Sequence, residues 1–142
     1  MANAFTNLLS PGGNKDVAYA LIRIFLGAAL MVRGLFLFLN PEALTKIVDD
    51  NSLNMYFSWI AISHLLGGLM LLLGLLTRLG ALIQLPEVAY AVFFIHAKQG
   101  LMMGGQSFEL ATMTLFLLLI ILVYGAGPLS LDAKLASTVP EE

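Results

Sequence analysis

The sequence predicts an all-α integral membrane protein, a four-helix transmembrane bundle with a short helix on its outer interface. Three observations carry this expectation. Of 142 residues, 59% are hydrophobic and only 11% charged, with a mean hydropathy of +0.90, whereas soluble domains are roughly one-quarter charged. The apolar excess is gathered into four stretches, Val17–Leu39, Tyr56–Leu76, Leu79–Ala97 and Phe108–Tyr124, each near the ~20 residues that cross ~30 Å of hydrocarbon at 1.5 Å per residue. Runs such as Leu115 to Val123 do not alternate as barrel strands must, so the spans are expected to be helices.

In chain order, residues 1–16 read as a tail, 17–134 as the membrane domain and 135–142 as a second tail. The first tail has Lys15 as its basic residue and the breakers Pro11, Gly12 and Gly13, unlike a cleavable signal, so the first span is expected to target the chain. Within that span Arg23, Gly27 and Gly34 fall within about 40° of one another, a smooth stripe for close helix packing. Gly67, Gly68 and Gly74 are expected to do similar work in the second. After the first span, Asn40 can cap and Pro41 suits a first helical position, while Leu44, Ile47 and Val48 share one face. A short amphipathic helix to Asp50 is expected there. Thr77-Arg78 reads as the turn between spans two and three, Pro86 as a bend in span three, and Lys98 to Ser107, with Gly100, Gly104 and Gly105, as a lid. Tyr19, Tyr56, Trp59 and Tyr124 mark the membrane interfaces.

Six ionisable side chains lie inside the spans: Arg23, Arg33, His64, Glu87, His96 and Glu109. Charge in hydrocarbon is costly and persists where it is paired or used. Counting residues from the helix ends places Arg23 and Glu87 at similar depth in the inner half, which predicts a structural ion pair. His96 ends the third span and Glu109 begins the fourth, so a hairpin would bring them level, with Arg33 within reach and His64 somewhat deeper. Arg33, His96, Glu109 and His64 are therefore the candidate quinone and proton site.

Other features narrow the chemistry. Cysteine is absent, which excludes disulfides, thiol redox chemistry and covalently attached haem. No metal-ligand pattern stands out, and His64 and His96 differ by about 10 Å in depth, which argues against their sharing a haem. A net charge of −2 gives no reason to expect nucleic acid. Lys15, Arg78 and Lys134 against Lys46 and Lys98 favour cytoplasmic termini.

The chain resembles the DoxX family of small four-span bacterial membrane proteins. The resemblance rests on Arg23-Ile24-Phe25-Leu26-Gly27 with Gly34, on Leu65-Leu66-Gly67-Gly68-Leu69 through Leu73-Gly74-Leu75-Leu76-Thr77-Arg78 and Ala81, and on His96 with Gly100 and Phe108-Glu109-Leu110. Its most specific piece is Gly125-Ala126-Gly127-Pro128-Leu129-Ser130-Leu131-Asp132. Relatives include a membrane subunit of a thiosulfate:quinone oxidoreductase, so the resemblance implies a bacterial inner-membrane protein. This chain departs from the pattern at His64, where a glutamate usually precedes the Leu-Leu-Gly-Gly run, at Arg33, and at Glu87. The carboxylate is thus expected to have moved from span two to span three.

Two functions compete on this reading. One is a quinone-linked membrane subunit of a respiratory-type redox enzyme, with Phe36, Phe93, Phe94 and Phe108 walling an apolar slot. In that case quinone is the non-covalent ligand, and the electron donor is another chain. The alternative is a non-catalytic accessory subunit at the rim of a respiratory or photosynthetic complex. Both readings expect lipid and other membrane subunits as partners. A transporter lacks the expected inverted repeats.

Overall fold

The computed structural model describes residues 15–40, 42, 54–100 and 107–138. Within them the chain is all helical. Helix α1 runs Lys15–Leu39, α2 Asn54–Leu73 and α3 Thr77–Tyr90. The last continues as a π-helical turn, Ala91–His96, and a tight 3-10 turn, Ala97–Gln99. Then come α4, Ser107–Tyr124, and the short α5, Leu131–Ala136. Four helices, Lys15–Leu39, Tyr56–Leu73, Thr77–His96 and Ser107–Tyr124, are long and apolar enough to cross a membrane, so the chain is a multi-pass membrane protein. The expected interfacial helix, apart from Glu42, lies outside the described residues, as do Met102, Met103, Gly104 and Gly105 of the expected lid.

Tyr19, near the start of α1, donates to the Gly125 carbonyl just beyond α4 at 2.6 Å. The first helix therefore begins where the fourth ends, at what we call the near end of the bundle. A core of Leu26, Leu30, Leu71, Ala81, Val88, Val92, Leu118 and Ile121 joins all four helices. Leu37, Phe57 and Ala61 close the α1–α2 contact at the far end.

Helices α1 and α2 make the closest pairing, and glycine is the reason. A Cβ at Gly27 would lie 2.8 Å from the Gly68 carbonyl oxygen, one at Gly34 2.9 Å from that of Ala61, and one at Gly68 2.9 Å from that of Gly27. Backbone meets backbone along this seam, which maximises dispersion contact where no hydrophobic force drives helices together. The other two glycines of the expected stripe differ. Gly67 makes room for the Gln84 side chain of α3, and Gly74, at φ +68°, forms a turn.

The turn between α2 and α3 is Gly74–Leu76, not Thr77-Arg78. Gly74 adopts the left-handed conformation, and the Leu75 amide bonds the Met70 carbonyl at 3.0 Å, the six-to-one closure of a Schellman motif. Leu76 is left-handed as well, at φ 48°, and caps nothing with its own side chain. The cap for α3 comes from a distance. Asp132 accepts from the amides of Leu76 (2.8 Å) and Thr77 (3.1 Å) and from the Thr77 hydroxyl (3.0 Å), and its own amide donates to the Gly74 carbonyl at 2.9 Å. A carboxylate thus satisfies amides that a helix start leaves open, at the positive end of the helix dipole.

The segment after α4 is folded over the near end by this clasp. Gly125 and Gly127 take positive φ, as does Leu129, and Ser130 caps α5 through Ala133 at 3.1 Å. Burial raises the Asp132 carboxyl, but the Thr77 and Leu76 amides, the Thr77 hydroxyl and the Arg23 charge outweigh it and hold it below the usual carboxylate value. A lowered folded-state pKa stabilises the fold above the unfolded value, about 4, and that stability is lost as pH falls through the folded value. Acid should therefore loosen the near end first, and Asp132→Asn should weaken it at neutral pH and flatten the acid limb. Amide exchange at Leu76 and Thr77 between pH 3 and 7 measures both; protection unchanged by the substitution would remove the clasp.

Candidate functional site

The hairpin register creates the site. His64 lies ten residues before Gly74, and Glu87 eleven after Leu76, so folding about Gly74–Leu76 sets them side by side. Gly67 and Gln84 meet by the same register one turn nearer the turn. Glu87 Oε1 lies 2.5 Å from His64 Nδ1, and the Ser63 hydroxyl bonds Glu87 Oε2. The His64 and Glu87 side chains are 7% and 8% exposed. This three-residue group is closed off from bulk solvent, where charge-assisted hydrogen bonds are strong.

The expected Arg23–Glu87 ion pair is not formed. Equal depth does not fix azimuth, and Arg23 turns toward the near end instead. Its guanidinium donates to the Leu71 carbonyl at 2.5 Å and to the Leu129 carbonyl at 2.9 Å, and the residue is 0% exposed. Leu71 is in the last turn of α2, where carbonyls lack intrahelical partners. A long cation reaching those oxygens ties α1 to the end of α2 and to the segment after α4. Arg23 is thus held by two backbone carbonyls rather than by Glu87.

Above the His64–Glu87 pair opens a cavity of about 560 Å³, lined by all four long helices. α1 contributes Leu30, Arg33 and Leu37; α2 contributes Tyr56, Phe57, Trp59, Ile60 and His64. From the third helix and its π turn come Pro86, Glu87, Val88, Tyr90, Ala91, Ile95 and His96, and from α4 Ser107, Leu110, Ala111 and Thr114. The volume is that of a small-molecule site, and the lining is mostly apolar with a few converging polar groups, as such sites are.

His96 reaches this cavity because of the π turn. Nine residues of regular helix would turn it about 180° away from Glu87, and the extra residue of a π turn takes back about 100°. Both residues therefore face one space, with His96 7% exposed. Tyr90 stacks on Phe94 across the same turn, ring centres 5.0 Å apart.

Of the candidate quinone and proton residues, Arg33, His64 and His96 line the cavity. Glu109 does not; it sits half-buried in the first turn of α4 between Ser107 and Leu110, which do. The carboxylate in the cavity is Glu87. Its place beside His64 was legible in the hairpin spacing, had the turn been set at Gly74. The aromatic wall differs too. Phe36, Phe93 and Phe94 are more than half exposed and face outward, where lipid covers a spanning helix, and Phe108 packs on the core. Tyr56, Phe57, Trp59 and Tyr90 take their place. Ser63 and Thr114 carried no signal in the sequence, since hydroxyls are common in spans as interhelical bonds.

A family model described as DoxX matches residues 18–97. That stretch is more than half of the chain, and it holds the His64–Glu87 pair and every part of the cavity wall except that of α4. No curated protein and no solved structure matches the chain.

Proposed function

This chain belongs to the DoxX family, and on that premise we propose that it is a membrane subunit that binds a lipid-soluble quinone and exchanges protons with it for a redox partner. The observation that carries the reading is the buried His64–Glu87 pair at the edge of an apolar cavity large enough for a ring and part of its tail. The donor set fits a quinone: two neutral carbonyls accept, and two hydroxyls of the reduced form donate, and the cavity offers both kinds of partner. With Nδ1 committed to Glu87, His64 Nε2 is the nitrogen available to a carbonyl or hydroxyl oxygen. His96 offers a second imidazole within the same walls.

Reduction of a quinone takes two electrons and two protons. The electrons come from a partner chain; this one has no cysteine, and we assign it no redox centre. Glu87 orients His64 and stabilises the imidazolium, so that His64 can give one proton to a quinone oxygen and later recover it. His96 is placed to handle the second. The resemblance supports this arrangement. Where relatives carry a glutamate before the Leu-Leu-Gly-Gly run, this chain has His64, and Glu87 of α3 brings a carboxylate back against it.

Trp59 is the only tryptophan of the chain and lines the cavity, so it reports on occupancy. In nanodiscs a short-chain quinone should quench it saturably. Its reduced form, assayed by competition, should bind about tenfold more weakly to Glu87→Gln, about 1.4 kcal/mol, because the amide no longer holds His64 Nδ1 by a charge-assisted bond with Nε2 turned to accept from the ligand. Quenching that rises linearly without saturation, equally in both proteins, would sink the proposal.

A further inference from the structure

Arg33 is the cation of the cavity wall, and the quinone reading leaves it unused. Arg23 is held by two carbonyls and Glu87 by Ser63 and His64. Among the described residues Arg33 makes no hydrogen bond or ion pair, and it is exposed. It lies six residues before the end of α1 at Leu39, about 9 Å along the axis at 1.5 Å per residue. An arginine at that depth carries its stem through the acyl region and its head toward the interface, and it demands an anionic or strongly polar partner.

The surroundings say what kind of partner. Leu30 and Leu37 stand one turn below and one turn above Arg33 on the same face of α1, and all three line the cavity. Tyr56 and Trp59 line it from α2 and are each more than half exposed. Rings of this kind sit at the level of lipid headgroups. The cavity thus has an apolar interior and a cationic rim at interfacial depth. A guanidinium binds planar oxyanions through paired donors.

We propose that Arg33 is an anion subsite at the rim of the cavity, which holds the carboxylate or phosphate of an amphiphile whose hydrocarbon tail lies along Leu30 and Leu37. The ligand class is an oxyanion on an acyl chain, supplied either as a free lipid acid or by an anionic phospholipid of the bilayer. The subsite is independent of the His64–Glu87 chemistry, since it uses a different residue and a ligand of a different charge.

Trp59 in phosphatidylcholine nanodiscs again supplies the signal, because bromine quenches tryptophan on contact. Dibromostearate should quench saturably, and its methyl ester, with the same tail and no charge, should bind at least tenfold more weakly. Arg33→Gln should reduce acid binding to the level of the ester, whereas Arg33→Lys should keep part of it. Dibrominated phosphatidylglycerol forms the second arm. Saturable quenching by the acid alone assigns a free lipid acid, by the phospholipid alone a bilayer headgroup, and by both the shared oxyanion; each supports the subsite. Equal binding of acid and ester, or an Arg33→Gln protein that binds the acid like the wild type, overturns it. If Arg33→Gln does not fold, the comparison of acid with ester on the wild-type protein still decides. Quinone binding is read separately, so loss of one result leaves the other intact.

Discussion

Replacement of Gly34 by leucine should abolish the folded bundle. A single Cβ there would come within 2.9 Å of the Ala61 carbonyl oxygen and of the His64 carbonyl carbon. Both are helix backbone, which cannot rotate away as a side chain can. Overpacking ordinarily costs about 1–3 kcal/mol, and a whole isobutyl group against backbone should exceed that range. Gly34→Ala should fall inside it and should also disturb the site, because α1 would push α2 where His64 is carried. Leu21, 57% exposed on the outward face of the same helix, serves as the control, and Leu21→Ala should change little. Unfolding in mixed micelles with increasing dodecyl sulfate orders the three variants. A stable Gly34→Leu bundle would show that the α1–α2 seam is looser than its glycines imply.

Arg23→Met should be the next most damaging change. It removes both hydrogen bonds from the guanidinium and leaves the buried Leu71 carbonyl and the partly buried Leu129 carbonyl without that donor. Hydrogen bonds to charged groups are worth about 1.5–3 kcal/mol each, and two made by one group add incompletely, so a loss of roughly 2–4 kcal/mol is expected. The double variant with Glu87→Gln distinguishes the observed partners from the pairing that depth alone suggests. If Arg23 and Glu87 were an ion pair, losing both would be less harmful than the sum of the single losses. With Arg23 held by carbonyls and Glu87 by His64, the two losses should add to within about 0.5 kcal/mol. Strong non-additivity in the same micelle titration would restore the ion pair.

These two residues also show how sequence information divides. Gly27, Gly34 and Gly68 were readable as a packing seam, because helical periodicity fixes which residues share a face and glycine is the residue that lets backbones touch. Arg23 was readable as lying deep within its span, since its depth follows from counting. Its partners were not, because they are carbonyls exposed by the ends of other segments. The Asp132 clasp escaped for a related reason. A helix cap is ordinarily sought among neighbouring residues, and this one is 55 positions from the Thr77 it caps.

The site divides along the same line. Composition and hydropathy by themselves determined that the chain crosses a membrane as four helices, because span length and backbone hydrogen bonding in hydrocarbon leave no other solution. They also picked out Arg33, His64, Glu87 and His96 as polar residues that need a reason to be in a membrane. Tertiary structure alone decided how they are grouped. The positive-φ turn at Gly74 set the α2–α3 register that joins Glu87 to His64, and the π turn at Ala91–His96 rotated His96 into the same space. Depth along a helix follows from residue count, whereas azimuth and register depend on turn geometry and helix type, and a single residue more or less in either moves a side chain by about 100°.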